Sequence, residues 1–202
     1  LDRFLVSLEF EDINPLIYLT KVDLLEDDSL VNEVKKVYEE IGYPVIVATE
    51  DETSLKQIEA TFSQKLTVFM GQSGAGKSTL LNRIVPDLAL ETGEISSALG
   101  RGKHTTRHVE LLPIAGGLVA DTPGFGSIDF LTVEARELPR LFPEFVKVAS
   151  QCRFRECSHI NEPNCAVKEA VTEGIIAQTR YENYTQFLNE VENRKPMYRK
   201  KK

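Results

Sequence analysis

The sequence predicts an α/β fold: a mostly parallel sheet with helices on both faces, followed by a small cysteine-rich helical segment. Three observations lead to this fold class. Short apolar segments alternate with amphipathic ones over the first two thirds of the 202-residue chain, which is typical of a parallel sheet covered on both faces. A glycine-rich loop at residues 71–78 separates a strand from a helix, and three cysteines and a histidine cluster within residues 152–165.

Five segments are predicted to be strands because they are short, apolar and bounded by turn residues. They cover residues 15–25, 43–49, 66–70, 108–114 and 116–124. Helices are predicted where apolar residues recur at helical spacing. They cover residues 29–42, 54–62, 78–85, 132–142, 166–174 and 177–191. Ser29 is expected to cap the first of these helices and Gly42 to end it.

The composition is that of an ordinary globular protein, with 42% hydrophobic and 27% charged residues. No apolar run approaches the roughly 18 residues that cross a bilayer, so we expect a cytoplasmic protein with no membrane partner. The net charge of −7 argues against non-specific coating of nucleic acid. Residues 151–202, however, carry 10 Lys/Arg against 7 Asp/Glu, which indicates that this part faces phosphate. For the last four residues, a solvated tail explains the charge equally well.

The glycine-rich loop matches the phosphate-binding pattern G-x-x-x-x-G-K-[ST]. Its glycines allow backbone N–H groups to curl around a phosphate, while Lys77 reaches the outer phosphates and Ser78 a magnesium ion. The helix that follows points its N-terminus at the same anion. We therefore expect nucleotide contacts from Gly71, Gln72, Ser73, Gly74, Ala75, Gly76, Lys77, Ser78 and Thr79.

Two further motifs suit a terminal phosphate and its magnesium ion. In "DTPG", Asp121 ends an apolar strand; its carboxylate can hold magnesium through water, and the Gly124 N–H can reach the terminal phosphate. In "HTTR", at the end of the polar stretch 86–107, Thr105 or Thr106 can complete the magnesium shell when the third phosphate is present. The sequence leaves open which threonine does so.

The stretch "TKVD" indicates that the nucleotide base is guanine. A carboxylate at Asp23 can accept both N–H donors on the guanine edge, which adenine lacks, and the Lys21 stem can lie along the base. The motif resembles N-K-x-D of GTPases, with Thr20 in place of Asn. Ala48 and Thr49 occupy the place of the weaker S-A motif, whose backbone touches the base.

GTPase motifs are numbered 1 to 5 in their usual chain order, in which the base-recognition motifs, 4 and 5, come last. They come first here, so the motif order is 4-5-1-2-3. This order is a circular permutation, which leaves the packed sheet intact while opening the chain at a different surface loop. The sequence therefore predicts a circularly permuted P-loop GTPase domain over residues 1–148.

The cysteine-rich segment has the spacing of a metal site. Its C-x4-C-x-H-x5-C pattern provides three thiolates and one imidazole, the ligand set of a closed, tetrahedral structural zinc site. The alternative is a set of buried free cysteines with a surface histidine. The zinc interpretation predicts a zinc-binding and helical domain over residues 149–202, with these ligands: Cys152, Cys157, His159 and Cys165.

Taken together, these motifs resemble the RsgA (YjeQ/YloQ) family of bacterial GTPases that depend on the small ribosomal subunit. The resemblance extends over essentially the whole chain and rests on "LDRFLV", "TKVDLL", "GQSGAGKSTLLN", "GRGKHTTRHVEL", "DTPGF" and "CRFRECSHINEPNCAV". It implies GTP/GDP, Mg²⁺ and Zn²⁺ as ligands, the 30S subunit and 16S rRNA as partners, and a role in late 30S maturation. We expect a monomer. The family also carries an N-terminal RNA-binding OB-fold domain, and we expect this sequence either to begin after such a domain or to lack it.

The catalytic residues are less well defined. Phe125 follows "DTPG", and its side chain cannot orient a water molecule, so we expect slow intrinsic hydrolysis with the polar group supplied elsewhere. The resemblance implies that the small subunit stimulates this hydrolysis. Lys77 supplies charge, and His104 is the candidate for orienting water, although contact with solvent or rRNA explains His104 equally well. One rival function is a nucleotide-gated rRNA-binding module in which hydrolysis is only a slow reset. The other is an ATPase or kinase in which "TKVD" is coincidental.

Overall fold

The computed structural model describes residues 1–86, 110–121 and 133–194. Contacts divide the chain into a terminal unit, Leu1–Pro15 with Asp129–Lys202, and a central unit, Leu16–Ile128. The first helix, α1 (Asp2–Phe10), was not predicted from the sequence and belongs to the terminal unit, where its Val6 lies in the apolar core. These packing units therefore differ in their limits from the domains predicted from the motifs, whose boundary at residue 148 stays a prediction.

The central unit contains a strand within each of the five predicted strand segments. These strands are β1 (Ile17–Leu19), β2 (Val45–Val47), β3 (Leu66–Val68), β4 (Glu110–Ile114) and β5 (Gly117–Asp121). Its helices are α2 (Ser29–Ile41), α3 (Thr53–Glu59) and α4 (Lys77–Ile84). Gly42 ends α2 with a φ of +120°, as predicted. Ser29 is not the cap: Asp28 takes that position, and the Ser29 N–H donates to the Asp27 carboxylate at 2.8 Å.

The strand pairing agrees with a mostly parallel arrangement. β1 pairs in parallel with β2, and β3 pairs in parallel with β5, while β4 and β5 form an antiparallel hairpin. The inner face of the three-stranded sheet packs against α3 and α4 around the fully buried Val119. Because β3 and β5 run in the same direction, the glycine-rich loop after β3 and Asp121 at the end of β5 come to the same edge of this sheet.

The terminal unit is helical. After residue 133, a 3-10 turn over Leu138–Leu141 precedes α5 (Pro143–Ala149), and α6 (Ala166–Thr172) and α7 (Gln178–Glu192) follow. The single helix predicted over residues 132–142 is therefore wrong in this part. Pro139 and Pro143 each lack the N–H that a helix interior needs, so each lies at the start of a new helical segment, as its second and first residue respectively. Within the part of the chain that the structure describes, each helix is too short or too polar to cross a bilayer.

Candidate nucleotide-binding and metal sites

The glycine-rich loop has the backbone that its sequence predicts. Gly74 and Gly76 have φ values of +78° and +89°, in the left-handed region that glycine adopts without strain. The Lys77 ammonium lies over the loop, donating to the carbonyls of Gly71 at 2.7 Å and Gln72 at 2.9 Å. An ammonium has three N–H donors, so these contacts leave one for an outer phosphate.

The residues that follow Lys77 start α4. Ser78 and Thr79 occupy its first turn, where backbone N–H groups lack partners within the helix and the helix dipole favours an anion. Ser73 is exposed in the loop and Ala75 is half-buried. Four predicted residues lie outside the described residues: the phosphate and magnesium contacts Thr105, Thr106 and Gly124, and His104, the candidate for orienting water.

The "TKVD" segment is joined directly to the glycine-rich loop. The Thr20 hydroxyl donates to the Ala75 carbonyl at 2.8 Å, although 55 positions separate the two residues. Lys21 follows with a φ of +58°, and this left-handed residue turns the chain into a 3-10 turn, Val22–Leu24, that presents Asp23 at the surface. Thr20 thus supplies a hydrogen bond to the phosphate loop even though the Asn of N-K-x-D is absent.

The loop after β2 is held by bonds that sequence reasoning missed. The Ala48 N–H donates to the Leu19 carbonyl at 2.8 Å and the Thr49 N–H to the Ser54 hydroxyl at 3.0 Å. In return, the Ser54 N–H donates to the Thr49 hydroxyl at 3.2 Å. Ser54 is completely buried and its hydroxyl also lies 3.1 Å from that of Tyr18. The backbone donors predicted to meet the base are therefore paired within the protein in this structure.

The four predicted zinc ligands come together in the terminal unit, with all their donor atoms within 4.8 Å of one another. His159 Nδ1 lies 3.3 Å from Cys165 Sγ and 3.7 Å from Cys152 Sγ, and the two sulfurs are 4.0 Å apart. Zn–S bonds of about 2.3 Å and Zn–N bonds of about 2.0 Å, arranged tetrahedrally, place such donors roughly 3.5–3.8 Å apart. The residues present therefore fit a four-coordinate metal ion.

Burial keeps three of the ligand side chains of this cluster uncharged when no cation is bound. Burial raises the pKa of the Cys157 thiol to about 12 and also raises the pKa of Cys165, while it lowers the pKa of His159. Burial thus opposes thiolate formation, and a cation among the sulfurs reverses that preference. A neutral imidazole is also the form that ligates a metal.

Three side chains outside the predicted ligand set hold the loop around His159, through hydrogen bonds that the sequence did not predict. The Glu162 carboxylate accepts hydrogen bonds from the N–H groups of Ser158 at 2.7 Å and Ile160 at 3.1 Å. Tyr181 donates to the His159 carbonyl at 2.7 Å, and Tyr184 donates to the carbonyl of Ser158. These bonds support His159 in the left-handed region, with a φ of +59°. The short-range bonds of Glu162 are the ones that a turn pattern could have suggested.

The fold and the site define a P-loop protein of the nucleotide-binding class, in which the "TKVD" segment precedes the phosphate loop and is bonded to it. The model of the RsgA GTPase family matches residues 1–131. The small ribosomal subunit biogenesis GTPase RsgA of Enterococcus faecalis is 64% identical over 203 residues, covering 100% of this chain and 68% of that relative. The protein of the same name from Bacillus subtilis is 52% identical, covering 98% of this chain and 68% of its own length.

Two solved structures have a fold similar to that of this chain. The crystal structure of YloQ, described as a circularly permuted GTPase, has a TM-score of 0.79 and 45% identity, covering 98% of this chain and 63% of that one. YjeQ from Thermotoga maritima has a TM-score of 0.80 and 35% identity, covering 96% and 66%. The chain belongs to the RsgA GTPase family, with the fold of a circularly permuted GTPase, and it spans about two thirds of the length of these relatives.

Proposed function

We propose that this chain binds guanine nucleotides, hydrolyses GTP to GDP and phosphate, and acts in maturation of the small ribosomal subunit. The observation that carries the proposal is the hydrogen bond from Thr20 to Ala75, which joins the "TKVD" segment to the phosphate loop. Base recognition and phosphate binding thereby share one site. The names of the relatives, small ribosomal subunit biogenesis GTPase, support both the reaction and its setting.

The proposed nucleotide contacts divide between base and phosphates. Asp23 reads the guanine edge, Lys21 and Thr20 support it, and the loop at Ala48 and Thr49 borders the base. The phosphates are held by residues 71–79, with Lys77 neutralising charge that develops in the transition state. We assign Asp121, the last residue of β5, to the magnesium ion, and Gly124, which lies outside the described residues, to the terminal phosphate.

A magnesium ion would be held by Ser78, Asp121 and either Thr105 or Thr106. It would supply positive charge that neutralises the phosphates. The position of Ser78 in the first turn of α4, next to Lys77, suits this role. A threonine ligand that depends on the third phosphate would make the segment before β4 sensitive to hydrolysis.

In the terminal unit we assign the metal as zinc, held by Cys152, Cys157, His159 and Cys165. Three thiolates and one imidazole complete a tetrahedron and leave no position for a reacting water, so the role of zinc here is structural. The ion would organise a loop that has few apolar side chains of its own.

Water orientation is the step for which the chain has no obvious residue. Phe125 follows the "DTPG" motif and cannot hydrogen-bond a nucleophile. We therefore propose slow intrinsic hydrolysis that the 30S subunit stimulates, with His104 as the candidate within the chain. We also propose that the protein is a cytoplasmic monomer that contacts 16S rRNA. The net positive charge of residues 151–202 supports such a contact.

GTP and ATP turnover with and without purified 30S subunits tests the proposal. We expect GTP-selective phosphate release that rises strongly with 30S subunits and is abolished in Lys77→Ala. The matched control is Lys65→Ala, which removes an exposed lysine just before β3. Equal turnover of GTP and ATP, or full activity in Lys77→Ala, would contradict the proposal.

A second candidate is a nucleotide-gated binding module. Phe125 favours it, because the residue after "DTPG" provides no polar group for catalysis. In that case guanine nucleotides bind tightly and control association with 30S subunits, while turnover stays near zero under all conditions.

A further inference from the structure

The helix that follows the phosphate loop also binds the loop that follows β2. Arg83 lies in the last turn of α4, within the central unit. Its Nη1 donates to the Thr49 carbonyl at 3.4 Å. Its Nη2 donates to the carbonyls of Glu50 and Asp51, both at 3.3 Å. One guanidinium therefore contacts three consecutive carbonyls of a single loop.

This contact requires the geometry of arginine. A guanidinium presents five N–H donors in a fixed plane and can serve several acceptors at once, whereas an ammonium is a compact point charge on a flexible stem. Within the described residues, positions 49–51 otherwise make local hydrogen bonds: the Asp51 carboxylate accepts from the Thr53 N–H at 3.0 Å, and Thr49 exchanges bonds with Ser54. The preceding residue, Ala48, is bonded to Leu19 of β1. Arg83 connects this locally ordered loop to a different element.

The element that carries Arg83, α4, also carries the proposed phosphate contacts. α4 begins at Lys77 and contains eight residues, so at 1.5 Å per residue it is about 12 Å long. Its first turn carries Lys77 and Ser78, and its last turn carries Arg83. A single rigid helix thus fixes the separation between the phosphate contacts and the loop that borders the base.

We propose that Arg83 is a positioning residue for guanine recognition. It touches neither phosphate nor base, and it holds residues 49–51 at the position that the base requires. The inference rests on the proposed function, because it assumes that this loop borders a guanine base. Loss of Arg83 is expected to weaken the part of the affinity that depends on the base and to spare the part that depends on phosphate.

The test compares dissociation constants of the purified chain for GDP, ADP and inorganic pyrophosphate, measured by calorimetry. We expect Arg83→Ala to weaken GDP binding about five- to tenfold, which lowers the preference for GDP over ADP, with pyrophosphate affinity unchanged. Arg83→Lys keeps the charge without the planar fork, so its GDP affinity should be intermediate. It also carries the test if the alanine variant fails to fold. The matched control is Lys56→Ala, which removes an exposed ammonium on α3 that pairs with Glu52 at 3.1 Å.

Each outcome decides the matter. Unchanged GDP affinity in Arg83→Ala, alongside a wild type that prefers GDP, overturns the inference and leaves the proposed function standing. Equal weakening of GDP and pyrophosphate also overturns it, because Arg83 would then support the phosphate loop as a whole. A wild type that binds GDP no better than ADP overturns the proposed function and this inference together.

Discussion

The Thr20 hydroxyl donates to the Ala75 carbonyl at 2.8 Å and so joins the first strand of the central unit to the phosphate loop. A motif read as N-K-x-D would place an amide at this position. A hydroxyl retains the donor that the amide provides and rotates to reach its acceptor. The substitution of Thr for Asn is therefore compatible with guanine recognition, because the contact that links the two motifs is present.

Removing this hydroxyl while keeping the side-chain shape should weaken nucleotide binding. We expect Thr20→Val to reduce GDP affinity about three- to tenfold, the effect of losing one hydrogen bond that leaves a backbone carbonyl without its donor. Equilibrium titration with a fluorescent GDP analogue measures the change. The matched control is Thr61→Val, which removes a hydroxyl that donates to the Ile58 carbonyl at the end of α3. Equal GDP affinity in wild type and Thr20→Val would show that the bond does not matter for binding.

The sequence predicts the phosphate loop well because its determinants are local. The left-handed glycines, the lysine and the start of α4 all lie within residues 71–78. The hydrogen bonds that connect this loop and α4 to the proposed base-recognition segments could not be predicted from the sequence. Thr20 meets Ala75 across 55 positions and Arg83 meets Thr49 across 34. Such pairs depend on how strands and helices pack. A single sequence does not show which distant residue a threonine or an arginine will contact.

The cysteine cluster leads to a prediction about metal content. We expect the purified chain to contain one equivalent of zinc by elemental analysis, and Cys165→Ser to lose it, because Cys165 is 2% exposed and lies within 4.0 Å of two other ligand atoms. Loss of the ion should lower the thermal midpoint by about 5 °C or more. Ser150→Ala, an exposed change just before the cluster, is the control. Stoichiometric zinc in Cys165→Ser, or a wild type without metal, would contradict the assignment.

Glu162 should matter to this site although it is not a ligand. Burial would raise the pKa of its carboxyl, but hydrogen bonds from Ser158 and Ile160 outweigh that effect and lower the pKa to about 2. The carboxylate is thus charged at neutral pH while it holds the backbone on either side of His159.

We therefore expect Glu162→Gln to weaken zinc affinity about tenfold at pH 7, since an amide oxygen accepts these bonds less strongly than a carboxylate. Competition with a chromogenic chelator measures the affinity. Glu169→Gln, which neutralises an exposed carboxylate on α6, should leave it unchanged. Equal zinc affinities in the two variants would refute a specific role for Glu162.

The zinc ligands were predictable because their spacing is itself the signal. Their supports were not, since Tyr181 reaches the His159 carbonyl from α7, 22 positions away. The same limitation applies to α1, which the sequence reasoning missed. Its Asp2 and Val6 are buried by α7 and by residues near α5, so the helix is stabilised by contacts with segments more than 130 positions later.

The most deeply buried charges of the terminal unit connect these same elements. Arg180 is 1% exposed and its Nε and Nη2 donate to the Glu144 carboxylate at 2.7 and 3.2 Å. Its Nη1 makes an ion pair with Asp2 at 2.8 Å, and Phe142 packs its ring against the guanidinium, 4.7 Å from the ring centre. Burial opposes the charge on Arg180, but Glu144 and Asp2 outweigh it and raise the pKa of the guanidinium.

Breaking this cluster from one side should be costly, because two carboxylates then remain buried without their cation. We expect Arg180→Met to destabilise the protein by about 3–5 kcal/mol, measured as the free energy of unfolding in urea. Neutralising the partners as well, with Asp2→Asn and Glu144→Gln, should restore part of this loss, since no uncompensated charge remains buried. The control is Arg3→Met: Arg3 pairs with Glu190 in the same unit, but their side chains are 31% and 40% exposed, so its loss should cost about 1 kcal/mol or less. If Arg180→Met and Arg3→Met cost the same, the buried ion pairs do not hold α1, α5 and α7 together, and the apolar core around Val6, Phe145 and Tyr184 must do so without them.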